Sequence, residues 1–206
     1  LFDEMNWARV EYYFSEFLSK LELRRMVKNP ENKNERQRAE ISLDTGPGKT
    51  VQFRIWVDYN VLFVGTMNQD ETTQTLSDKV LDRANVLRFG KPDEKTQYSQ
   101  IDIQEENWVD QYLPFDLWQS WIKSFGEHTA WSEQITKWTN RLNDALDRVS
   151  RPFGYRVQQA IRTYVANYPR VEDEDRYKLA FADQLEQKIM PKLQGVDLAN
   201  NATNIS

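Results

Sequence analysis

The sequence predicts an α/β half followed by an all-α half. The α/β prediction rests on Val61–Gly65, a continuous apolar run bounded by turn residues, which is typical of a strand buried on both faces. The all-α prediction rests on apolar residues that step by three and four from Trp131 to Val149. Between the halves, residues 90–112 are polar and irregular, which marks a boundary.

In the first half, Leu1 and Phe2 read as the end of a buried strand, and Asn6 is the predicted N-cap of the helix that follows. Composition predicts a β-hairpin around 39–56, with a turn rich in glycine and proline. The predicted elements are a helix at 7–22, strands at Ala39–Leu43 and Val51–Trp56, the strand Val61–Gly65, a helix at 75–84 and a short strand at Asn85–Phe89.

In the second half every periodic segment predicts a helix. The predicted helices are Phe115–Phe125, 131–149, Tyr155–Asn167 and Asp173–Ile189. The resulting domain boundaries are 1–92 for the α/β part, 93–112 for a linker, 113–195 for the helical domain and 196–206 for a flexible tail.

Composition excludes several classes of site. The chain of 206 residues has no cysteine and one histidine, so it lacks disulfides, thiolate metal sites and histidine clusters. A net charge of −5 does not suit a nucleic-acid polycation, and no apolar run is long enough to cross a membrane. The absence of cysteine favours a reducing, cytoplasmic compartment.

Polar groups follow both buried strands of the first half. Asp3 and Glu4 follow the first strand, and Asn68 follows the second. A carboxylate pair at a strand end suits Mg²⁺, with one group holding the ion or its waters and the other polarising an attacking water. On spacing alone, such a pair is more commonly a turn.

The order of these groups resembles the AAA+ NTPases, and more closely the McrB-type motor subunits of methylcytosine-dependent restriction systems. In that comparison Asp3 and Glu4 match the Walker B motif, Asn68 matches sensor 1, Arg83 the arginine finger and Arg156 sensor 2. The resemblance is carried by residues 3–22, 61–89, 153–165 and 188–195.

The resemblance implies a partial AAA+ core, with Walker B and sensor 1 strands and a β-hairpin insertion, followed by a helical lid. It also implies roles: Asp3 would hold Mg²⁺ through water, Glu4 would orient the attacking water, and Asn68 would bind that water or the γ-phosphate. Arg83 would reach the neighbouring subunit's site, with Arg88 as the rival finger, and Arg156 would couple the lid to the nucleotide.

The implied assembly is a hexameric ring that hydrolyses ATP or GTP and acts on DNA with an McrC-like nuclease subunit. The choice of base stays open, because residues 69–73 depart from the sequence of the GTP-preferring relatives. The chain has no Walker A loop, so we expect a piece of a longer protein that is inactive alone.

One sequence segment partly matches a phosphate-binding loop. Gly48-Lys49-Thr50 matches the last three residues of that motif. However, Leu43 occupies the position of the motif's first glycine, and a strand-like segment follows where a helix is required. We therefore predict a hairpin turn here, with Lys49 and Arg54 as candidate DNA contacts. The alternative function for the chain is a non-catalytic helical module that binds protein or DNA.

Overall fold

The structure is a computed structural model that describes residues 1–43, 46, 53–68, 76–90, 112–126, 129–171, 173 and 175–193. The chain divides into two compact units, Leu1–Ala84 and Asn85–Ser206. The division falls after Ala84, whereas the sequence placed the end of the α/β part at residue 92. The predicted linker, apart from Tyr112, and the predicted tail lie outside the described residues.

Among the residues that the structure describes, the first unit contains three helices and a hairpin. The helices are α1 (Val10–Arg24), α2 (Lys33–Arg36) and α3 (Asp78–Leu81), and the strands are β1 (Ile41–Leu43) and β2 (Phe53–Ile55). The two strands pair antiparallel, with Ser42 opposite Arg54. Between them Gly46 has a φ of 87°, a left-handed conformation that suits glycine in a turn. The hairpin prediction is confirmed by the pairing of β1 with β2, and β2 is a strand where a phosphate-binding loop would require a helix.

Two further segments run side by side in parallel, joined by a bridge between Phe2 and Gly65. Phenyl rings attach this pair to α1: the centroids of Phe2 and Phe14 are 4.8 Å apart, and those of Phe17 and Phe63 are 4.7 Å apart. These edge-to-face contacts add to the gain from burying the rings. The strand ends therefore have a fixed position above one face of α1.

The prediction that Val61–Gly65 is buried on both faces is wrong. Leu62 is 81% exposed and Val64 is 60% exposed. The segment forms a single bridge, not a strand, and no described residue bonds to the outward-facing backbone groups of Phe63 and Gly65. The apolar run has the composition of an interior strand, but its outer edge is uncovered in the described part of the chain.

Two local predictions in this unit need correction. Helix α1 begins at Val10 after Arg9, and Asn6 is not its N-cap. Asn6 is buried and bonds to a backbone carbonyl across the strand pair instead. Helix α3 spans a shorter stretch than the predicted 75–84, with Ser77 at its N-cap.

All the regular secondary structure among the described residues of the second unit is helical. Its helices are α4 (Phe115–Trp121), α5 (Ala130–Arg148), α6 (Tyr155–Ala166) and α7 (Arg176–Gln184), followed by a π-helix (Leu185–Ile189) and a 3₁₀-helix (Met190–Leu193). A capping box between Thr129 and Ser132 fixes the start of α5. Apolar side chains of these helices and of the segments between them pack together as the core. The core comprises Ile135, Leu146, Phe153, Val157, Ile161, Val165, Val171, Ala180, Phe181 and Ile189.

The strand predicted at Asn85–Phe89 is not formed. The amide of Val86 donates to the carbonyl of Gln187 at 3.1 Å, so this segment attaches to the π-helix and not to a sheet. Among the helices that the structure describes, none combines the length and apolar character needed to cross a membrane.

Candidate functional site

The candidate site lies where the two parallel segments end. The amide of Phe2 donates to the carbonyl of Val64 at 2.8 Å, and the amide of Thr66 returns a bond to the carbonyl of Phe2 at 2.8 Å. One step further, the amide of Met5 donates to the carbonyl of Thr66 at 2.9 Å. Because the segments are parallel, their carboxyl ends meet at one edge. The structure therefore brings Asp3 and Glu4 close to Asn68.

The side chains of Glu4 and Asn68 touch across this edge. The Asn68 amide nitrogen Nδ2 donates to Glu4 Oε1 at 3.2 Å. Glu4 has a φ of 47°, in the left-handed region that residues other than glycine rarely occupy. Such conformations persist where surrounding contacts hold them, and they cluster at functional sites. Here the amide of Glu4 donates to Thr66 Oγ1 at 3.0 Å.

Asp3 is held by the same threonine. The Thr66 hydroxyl donates to Asp3 Oδ1. The other carboxylate oxygens, Asp3 Oδ2 and Glu4 Oε2, have no hydrogen bond within the described part of the chain, and both residues are exposed. Each carboxylate thus has one oxygen fixed by a side-chain donor and one that faces solvent.

Asn6 is a buried residue that anchors the backbone of Asn68. It is 3% exposed, and its Nδ2 donates to the carbonyl of Asn68 at 2.7 Å. The hydroxyl of Tyr13, on α1, donates to the carbonyl of Met5. Gly65 allows the close approach, since a Cβ atom there would collide with the Met5 sulfur. The backbone on both sides of the site is therefore anchored.

Arg83 is paired within its own unit. Its Nη2 and Nε lie 3.1 Å and 3.3 Å from Glu22 Oε2, and its Nη1 donates to the carbonyl of Lys79 at 3.1 Å. Glu22 is on α1, so the guanidinium ties α3 to α1. Nearby, hydrogen bonding by Ser77 lowers the pKa of Glu11, which also belongs to α1. Arg83 has the surroundings of a structural ion pair.

The remaining candidates lie elsewhere. Arg88 is exposed and has no ion pair among the described residues of its unit. Arg156 is the second residue of α6, exposed, and belongs to the second unit, whereas Asp3, Glu4 and Asn68 belong to the first. Arg54 is exposed in the middle of β2. Lys49 lies outside the described residues.

Two residues that hydrogen-bond within the candidate site, Thr66 and Asn6, were not predicted as site residues from the sequence. Thr66 is two residues before Asn68, and alternate residues of an extended segment point to the same side, so spacing alone could have indicated it. Asn6 gave no such signal, because an asparagine that precedes a helix is ordinarily a cap.

The side chains at this edge that could bind a metal ion are two carboxylates, one amide and one hydroxyl. Among the described residues no group of three or more histidines and carboxylates is suited to a metal ion. Two exposed carboxylate oxygens do fit Mg²⁺, which keeps several waters and takes only one or two carboxylates from a protein. Asp3 is the residue that would hold the ion, through its waters, and Glu4 lies beside it in the chain.

Comparison with known proteins touches only the helical unit. A family model described as a domain of unknown function, DUF8727, matches residues 109–201. This stretch includes Arg156 and none of the residues of the strand-end site. No curated protein and no solved structure matches the chain.

Proposed function

We propose that this chain carries the Walker B and sensor 1 edge, and the lid, of an AAA+ NTPase of the McrB type. In this proposal the complete protein forms a hexameric ring, hydrolyses ATP or GTP with Mg²⁺, and drives an McrC-like nuclease on DNA. The observation that carries the proposal is the contact between Glu4 and Asn68 at the ends of two parallel segments joined by one bridge, with Asp3 beside it.

The site chemistry follows from these groups. A Mg²⁺ ion, when bound, supplies positive charge that offsets the charge of the transferring phosphoryl group. Asp3 would hold the ion through its waters. Glu4 presents Oε2 to the attacking water and accepts its proton, while Asn68 orients Glu4 through Oε1. An amide suits this position because it donates a hydrogen bond without competing for the metal.

The uncovered edge of 61–64 is consistent with the proposal. An apolar segment with the composition of an interior strand needs a second neighbour, which in this family is the strand that leads into the phosphate-binding loop. We propose that this loop comes from a segment outside the 206 residues and pairs at that edge. The chain alone is then inactive.

We propose Arg88, the rival candidate in the sequence, instead of Arg83 as the finger that enters the neighbouring subunit's site. Arg83 would have to give up its bonds to Glu22 to do so, whereas Arg88 is already exposed. Arg156 would couple the lid to the γ-phosphate, and the hairpin with Lys49 and Arg54 would contact DNA in the pore.

The test is phosphate release from ATP and GTP by the complete protein. We expect turnover that requires Mg²⁺, stops when EDTA removes the ion, and resumes when excess Mg²⁺ is added back. The 206-residue chain assayed in parallel should release no phosphate. Absence of turnover in the complete protein, with either nucleotide and with DNA present, would contradict the proposal.

A second candidate function is supported by a groove in the helical unit. This open groove of about 540 Å³ is lined by residues of α5, α7 and the π-helix, among them Trp138 and Phe181 and the cations Arg141 and Lys178, of which Lys178 pairs with Asp175. Such a groove suits an acidic amphipathic segment of a partner protein. The same assay separates the two functions, because an interaction module has no turnover.

A further inference from the structure

The hydroxyl of Thr66 is the only side-chain group of the described residues that bonds to both members of the acidic pair. It accepts the amide hydrogen of Glu4 at 3.0 Å and donates its own hydrogen to Asp3 Oδ1. A hydroxyl can do both at once, because it combines one donor with two acceptor lone pairs. The backbone of Thr66 adds bonds to Phe2 and Met5, so the residue sits at a fixed point of the strand pair.

We propose that Thr66 is a positioning residue for the catalytic carboxylates; this inference rests on the proposed function. Its two bonds act on different parts of the site. The bond from the Glu4 amide holds that residue in its left-handed conformation, from which its side chain reaches Asn68. The bond to Asp3 holds Oδ1 and leaves Oδ2 toward solvent.

The consequence is a division of roles between adjacent carboxylates. Asp3 is oriented by Thr66 and Glu4 by Asn68, and these two donors are spaced two residues apart on one segment. Without the Thr66 hydroxyl, the Glu4 amide and the Asp3 carboxylate lose their shared partner. The rotation of both carboxylates then becomes less restricted, and fewer molecules hold the productive arrangement.

The variants that test this separate the contribution of the Thr66 hydroxyl from that of its methyl group. Thr66→Val replaces the hydroxyl by a methyl group of similar size, and Thr66→Ser keeps the hydroxyl and removes the methyl group. Thr66→Ala is a second variant without the hydroxyl, should valine prevent folding. Thr163→Val, at an exposed position of α6, is the matched control for the same chemical change elsewhere.

In the complete protein we expect Thr66→Val to lower kcat by roughly 10- to 100-fold, the range seen when a partner of a ligating carboxylate is lost. The KM for nucleotide should stay within about twofold, because the phosphate-binding loop supplies most of the affinity. Thr66→Ser should restore kcat, and Thr163→Val should leave it unchanged. On the 206-residue chain, the NMR resonance of the Glu4 amide should move in Thr66→Val and Thr66→Ala, and stay in Thr66→Ser.

The outcomes separate the two proposals. If the wild type turns over nucleotide and Thr66→Val matches its kcat, the role of Thr66 is refuted while the NTPase proposal stands. If serine and valine impair kcat equally, the hydroxyl is not responsible and the inference also fails. If the wild type has no turnover, the proposed function fails and the role of Thr66 in catalysis fails with it.

Discussion

Replacing Glu4 by glutamine in the complete protein should abolish nucleotide hydrolysis and leave nucleotide binding intact. Glutamine keeps the oxygen that accepts the Asn68 amide hydrogen at 3.2 Å, so the local geometry survives. It cannot accept a proton from water. Loss of a general base lowers turnover by roughly 10²–10⁴-fold. Phosphate release under saturating nucleotide measures the first effect, and equilibrium binding of a fluorescent nucleotide analogue measures the second.

Glu16→Gln is the matched control for this substitution. Glu16 is exposed on α1, makes no ion pair within the described residues, and undergoes the same loss of charge. Its hydrolysis rate should equal that of the wild type. A Glu4→Gln protein that hydrolyses at the wild-type rate would show that Glu4 is not the Walker B glutamate.

The second large effect is expected at Arg88. Arg88→Ala should lower hydrolysis by roughly 10³–10⁵-fold, which is the contribution of an arginine finger in related phosphoryl transfers. The stability of the protein should not change, because Arg88 is exposed.

Arg83→Ala should instead lower the free energy of unfolding by about 1 kcal/mol, since it removes a half-buried ion pair with Glu22. Urea denaturation of both variants measures this difference.

Mixing experiments show whether the finger acts across subunits. Arg88→Ala retains Glu4 but lacks the finger, and Glu4→Gln retains the finger but lacks the base. In randomly mixed rings about a quarter of the interfaces combine an intact site with an intact finger, because each interface joins two different surfaces. Hydrolysis should therefore return on mixing the two inactive proteins. Failure to recover activity, with mixed rings confirmed by mass, would contradict a finger acting in trans.

The sequence predicted the features that depend on local pattern. Apolar periodicity located the long helices of the second unit, and the turn composition located the hairpin that β1 and β2 form. These predictions needed no knowledge of contacts between distant segments. The meeting of Asp3, Glu4 and Asn68 did need it, and the sequence implied it only through the resemblance to AAA+ NTPases.

The features that sequence could not supply depend on distant partners. Glu22 is 61 residues from Arg83, and no local pattern pairs them, so the ion pair that holds this arginine was unforeseen. The apolar composition of Val61–Gly65 predicted a buried strand, but burial depends on a neighbour that the described residues do not provide. The left-handed conformation of Glu4 depends on contacts across the strand pair, of which the bond to Thr66 is one.

The central claim is that Glu4 and Asn68 act together on one bound nucleoside triphosphate. A double-mutant cycle on hydrolysis by the complete protein tests it, using Glu4→Gln, Asn68→Ala and the double variant. Residues that act as a unit give effects that are far from additive. We expect the double variant to be no slower than Glu4→Gln alone; a rate reduced by the product of the two single effects would contradict the account.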